Sequence, residues 1–151
     1  MRRELAAGIA AGAVGTVALN ATSYLDMLGR GRSASSAPTE AAGKLTELAH
    51  VGLGEKESAA NRREALGALL GMGTGLGVGA VYALLRATRD VPLPVAALGL
   101  GAAAMAGSDI PLATLGLAKP GSWDAASWAS DVLPHLAYGI AAAAAYQLFQ
   151  A

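Results

Sequence analysis

The chain has 151 residues, 11 of them basic and 11 acidic, and it contains no cysteine. This length fits one domain, balanced charge gives no general attraction for nucleic acid, and the missing thiols exclude disulfides, thiolate metal sites and cysteine nucleophiles. Apolar residues make up 54% but aromatics only 5%, with a mean hydropathy of +0.43; alanine, glycine and leucine in these proportions suit helices packed in lipid better than a soluble core of large side chains.

Behind the charged head Met1–Glu4 lies an apolar run, Leu5–Leu28, with no charge before Asp26. Its 24 residues reach about 36 Å as a helix, enough to cross a hydrocarbon core of about 30 Å. A basic start and an apolar run also describe a signal peptide, but the length of the run and the position of Asn20 argue against cleavage. Gly8, Gly12, Thr16 and Asn20 recur every four residues and give the span one small face.

The segment 29–64 is a polar connection. GRGRSASSAP is basic and turn-forming, and Pro38 with Glu40 marks a helix start. Ala41, Leu45, Leu48 and Ala49 form a weak apolar stripe, which predicts a short amphipathic helix over Thr39–His50 lying on the membrane surface. His50 reads as a solvated residue. The arginines Arg30 and Arg32 could attract lipid head groups, but five glutamates in the same region favour a solvated, mixed-charge loop.

The second span, about 65–85, is the one around which the sequence predicts the bundle to be organised. Gly67, Gly71, Gly75 and Gly79 repeat at four-residue spacing, which predicts a flat groove for helix packing. In water each such glycine costs about 1 kcal/mol relative to alanine, whereas in lipid the backbone must close its own hydrogen bonds and the run is helical regardless. No lysine and Ser/Thr pair follows these glycines, so they do not make a phosphate loop.

Pro92 and Pro94 open the third span, about 94–117, in which Gly99, Ala103 and Gly107 continue the small face. Pro111 removes a backbone donor and should kink it, and Lys119-Pro120-Gly121 should end it. Trp123 and Trp128 mark an interfacial segment before the fourth span, about 130–149, along which Asp131, His135, Gly139, Ala143 and Gln147 recur every four residues. The predicted fold is all-α: a four-helix transmembrane bundle in one integral membrane domain, 1–151, with the polar loop between the first two spans. Counting Lys and Arg gives seven on the long-loop side and four on the other, so the positive-inside rule makes the long loop cytoplasmic.

Polar groups inside spans carry the functional expectation, because an ionisable residue there is costly and marks a site by default. Counted from the span ends, Asn20 and Asp109 each lie about 12 Å deep and His135 about 8–10 Å. This predicts one intramembrane polar site formed by Asn20, Asp109 and His135, with Asp109 and His135 as the natural pair. Imidazole changes charge near neutral pH, so such a site could bind a proton or an ion. The same residues could instead be interhelical hydrogen bonds worth about 0.6 kcal/mol each, or Asp109 could cap a break in its helix. Asp131 and His135 supply two ligands on one face and the sequence shows no third, so neither a metal site nor a cofactor is expected.

The segment DVLPHLAYG, from Asp131 to Gly139, resembles the uncharacterised bacterial inner-membrane proteins of the YagU type in Asp131, His135, Leu136 and Tyr138. The Ala/Gly-rich multi-span plan is similar to integral membrane proteins common in high-GC bacteria. The resemblance implies a bacterial inner-membrane location and supplies no reaction. Two functions follow as expectations. One is a non-enzymatic structural, interaction or membrane-homeostasis protein, whose partners are the bilayer, further copies of itself or other membrane proteins. The other is a small transporter or channel subunit using the polar site. No catalytic motif is present.

Overall fold

The computed structural model describes residues 2–150. The chain forms α1 (Arg2–Arg30), α2 (Ala37–Leu48), α3 (Lys56–Arg86), α4 (Leu93–Thr114) and α5 (Ala125–Gln150), with a 3-10 turn at Pro120–Ser122 and no strand among the described residues. Helices α1, α3, α4 and α5 are each long and apolar enough to cross a membrane. At 1.5 Å per residue even the shortest, α4 with 22 residues, reaches about 33 Å. They form a four-helix bundle with α2 outside it.

Burial in this bundle runs opposite to that of a soluble protein. The core consists of alanines such as Ala11, Ala83, Ala104 and Ala143, and Tyr138 is its largest fully buried side chain. Large aliphatics point outward: Val17, Leu25, Val81, Leu98 and Ile140 are all more than 60% exposed. Water would penalise that surface heavily. Lipid does not, and small residues inside then let the helices approach closely.

Helix α1 docks on α3 through its small face. A Cβ at Gly12 would touch the carbonyl oxygen of Gly75, one at Gly8 that of Gly79, and one at Gly79 the carbonyl of Gly8. Backbone therefore lies on backbone. Gly67 is also packed, but against Pro38 of α2, and Gly71 faces nothing within 4 Å. The four glycines do not make one groove. A four-residue step overshoots the 3.6-residue turn by about 40°, so the row winds around α3 from α2 towards α1 and Gly71 falls in the gap between them.

The central helix is α5, not α3. The most apolar stretch of α5 is 39% buried against 22% for that of α3. Helix α5 lies between α1 and α4, and its Gly15 and Gly101 contacts place Tyr138, Ala142 and the His135 carbonyl directly against those neighbours. Alanine-rich Ala141–Ala145 lets α5 be buried on several sides, whereas Gly71, Gly73 and Gly77 of α3 face nothing within 4 Å.

Two further expectations are revised. Helix α2 packs on another helix through a different face from the one expected: Pro38 abuts Gly67 and Gly43 abuts Arg63, so it runs antiparallel beside the start of α3. It packs through Ala42, while the expected stripe residues Leu45 and Leu48 stand 42% and 58% exposed. Helix α4 ends at Thr114 rather than 117, because Gly116 takes φ +73° and the chain closes in a C-terminal turn with Leu117 N–H donating to the Leu112 carbonyl at 2.9 Å.

Candidate functional site at the α4–α5 seam

The seam is made by glycine. A Cβ at Gly139 would strike the Ala97 carbonyl and the backbone of Gly101, and one at Gly101 would meet the His135 carbonyl oxygen. Close approach of the two backbones at this level brings the polar residues of α4 and α5 together one to two turns further along.

His135 and Asp131 lie on the same side of α5, four residues apart. The His135 Nδ1 stands 2.8 Å from the Asp131 carbonyl oxygen and 3.3 Å from its Oδ1. With a proton on Nδ1 the imidazole donates to Asp131, and Nε2 is left facing α4. There it meets Ser108 Oγ at 3.5 Å. The Ser108 hydroxyl has one proton and further acceptors within reach, the Met105 carbonyl at 2.9 Å and Asp109 Oδ1 at 3.2 Å. The carboxyl of Asp109 in turn approaches that of Asp131 across the seam. Asp131, His135, Ser108 and Asp109 thus form a closed polar circuit between two helices.

Water has little access to it. The side chains of His135 and Asp131 are 12% and 18% exposed, and Asp131 Oδ2 is buried with no hydrogen-bond donor among the described residues. Buried polar atoms almost always find partners, so an orphaned carboxylate oxygen marks a place where a proton, water or cation would be stabilised.

Each wall carries a proline inside its helix, Pro111 in α4 and Pro134 in α5. Neither has an N–H to give the preceding turn, so the carbonyls of Gly107 and Ser130 lack their usual helical donor beside the circuit.

The expected trio is only partly assembled. Asp109 and His135 do meet, but the direct partner of His135 is Asp131 and Ser108 mediates the contact with Asp109. Asn20, half-buried on α1, has no side-chain hydrogen bond among the described residues. Depth counted along a helix does not fix the side on which a residue emerges, and it also assumed helix ends that moved: Asp109 is five residues from the end of α4, and His135 ten from the start of α5. Ser108 went unrecognised because a serine in a span carries no charge signal; its position beside Asp109 was the available clue. Among the described residues no group of three or more His, Asp or Glu side chains is arranged to hold a metal ion.

A second polar cluster closes the bundle end near the tryptophans. Asp26 accepts from Arg30 Nε at 2.6 Å and Arg32 Nε at 2.5 Å, and Arg30 also donates to Ser130 of α5. Nearby, Trp123 and Trp128 pack edge to face at 5.1 Å. Asp124 caps α5, accepting the Ser127 N–H at 2.7 Å. Hydrogen bonds from Ser127 hold the Asp124 carboxyl below the usual carboxylate range.

Four long apolar helices around a core of small residues are the architecture of a multi-pass membrane protein. The chain matches no protein-family model, and comparison with curated proteins and with solved structures finds no significant match.

Proposed function

We propose that this protein is a small, non-enzymatic, proton- or cation-responsive subunit of a bacterial inner membrane, acting as a transporter, channel or sensor component through Asp109, Asp131, His135 and Ser108. The observation that carries this reading is the buried, unpartnered Asp131 Oδ2 in a seam shared with a second carboxyl and an imidazole. Three groups able to exchange protons in a nearly dry space are more than helix adhesion requires. Prolines on both walls support it, since a helix missing a ladder bond bends more easily than an intact one. The positive-inside count supports a cytoplasmic long loop, which puts the circuit nearer that face.

A structural or interaction role is the second reading, favoured by the backbone-on-backbone packing at Gly8–Gly79 and Gly101–Gly139. Thermal unfolding in detergent at pH 5.5 and pH 8 separates the two for wild type, Asp131→Asn, Asp109→Asn and His135→Gln. A proton-responsive circuit gives wild type a pH-dependent melting temperature that the variants lose while remaining folded, and proton flux in liposomes that falls with them. Variants that unfold at both pH values, with no flux in wild type, would leave the structural reading standing.

A further inference from the structure

A groove of about 430 Å³ lies between α2, α3 and the chain just beyond α4. Thr39, Glu40, Lys44 and Glu47 of α2 line it with Arg63 of α3, and Leu117 gives it an apolar wall. Its depth follows from the sequence of α3. Arg63 stands two residues before the uncharged run that begins at Ala65, and the next contact inward is Gly67 on Pro38. The groove therefore opens where charged chain gives way to apolar span, the level of lipid head groups.

Its charges are unevenly answered. Lys44 Nζ donates to Glu47 Oε2 at 3.0 Å, and Glu40 Oε1 accepts from Ser36 Oγ at 2.6 Å. Arg63, with its stem against Gly43, has no hydrogen bond or ion pair to any described residue. Among the described residues the Arg63 guanidinium is thus free, and Glu40 has no cation paired with it. A simple phosphate would gain Arg63 but meet two carboxylates in the same groove, at a cost from like charge. A phosphodiester that carries its own ammonium group satisfies both signs.

We propose that this groove binds the head group of an aminophospholipid of the phosphatidylethanolamine type. The phosphate takes the forked donors of Arg63 and the hydroxyl of Thr39, the primary ammonium takes Glu40, and the glycerol and first acyl carbons lie on Leu117.

The test is native mass spectrometry of delipidated protein in detergent, titrated separately with phosphatidylethanolamine, phosphatidylcholine, phosphatidylglycerol and soluble phosphoethanolamine. The expected result is preferential retention of phosphatidylethanolamine. Arg63→Gln should weaken it about tenfold, the loss expected for a charge-assisted contact. Arg62→Gln, whose guanidinium donates to the Leu53 carbonyl instead, should leave it unchanged. Glu40→Gln should abolish the preference over phosphatidylglycerol, and Arg63→Lys, which keeps the charge without the fork, should fall between wild type and Arg63→Gln. Equal binding by Arg63→Gln and Arg62→Gln would overturn the proposal, as would equal retention of phosphatidylglycerol and phosphatidylethanolamine by wild type. Soluble phosphoethanolamine binding as tightly as the lipid would replace the lipid with a free phosphoamine and overturn it too. If Arg63→Gln does not fold, Arg63→Lys and Glu40→Gln still decide the matter.

Discussion

Two antiparallel helix pairs, α4–α5 and α3–α4, are both rich in small residues and pack in opposite ways. At the first, Gly101 and Gly139 bring the backbones so close that neither tolerates a Cβ. At the second, Gly73, Gly77 and Gly99 face open space, and an apolar groove of about 530 Å³ separates the helices. Glycine is thus a permission to approach and not itself an attraction. Approach happens where a neighbour offers a small residue at the same level and nothing bulky lies between. Between α3 and α5 lie tyrosines. Tyr138 sends its hydroxyl to the Gly75 carbonyl at 2.6 Å, and Tyr82 meets Tyr146 edge-on at 5.1 Å. These rings fill the space between α3 and α5, and α3 meets α4 closely only further along, where a Cβ at Gly107 would strike the Thr74 methyl.

The contrast can be broken most sharply at Gly139. Gly139→Leu drives a side chain into the α4 backbone and should cost about 3 kcal/mol or more, seen as loss of a monodisperse folded species in detergent and of the thermal transition. Gly79→Leu should do the same to the α1–α3 contact. Tyr138→Phe keeps the ring and removes one buried hydrogen bond, so it should cost about 1 kcal/mol by thermal or denaturant unfolding in detergent. Gly77→Ala enters open space; the same melts should show a change below about 1 kcal/mol, in the stabilising direction that helix propensity gives. A large loss there would mean that something in the native membrane already occupies the α3–α4 groove.

The smallest effect belongs to the α5 cap. The Asp124 carboxyl is held below its ordinary range by Ser127, so its contribution is present at neutral pH and lost as pH falls through that lowered value. Asp124→Ala should lower the melting temperature by a few degrees at most at pH 7. The difference from wild type should vanish under strongly acidic conditions.

The candidate site was half legible in the sequence. Asp109 and His135 announced themselves because charge and imidazole inside apolar runs have no cheap explanation. Asp131 reads in the sequence only as a face-mate of His135 at the edge of a span starting at about 130, whereas α5 begins at Ala125 and adds a full turn before it. Asn20 matched in depth and failed in contact.

What the sequence by itself determined is the set of local facts: four helices, their approximate ends and their small-residue content. Uncharged runs of this length can satisfy their backbones in lipid only as helices, whatever their neighbours do. Which helix became central, which glycines were used and which polar groups met were decided only by tertiary packing. Those outcomes depend on the rotation of each helix about its own axis and on the tyrosines wedged between them. A four-residue repeat that winds by about 40° per step points to several neighbours at once, and packing selects among them.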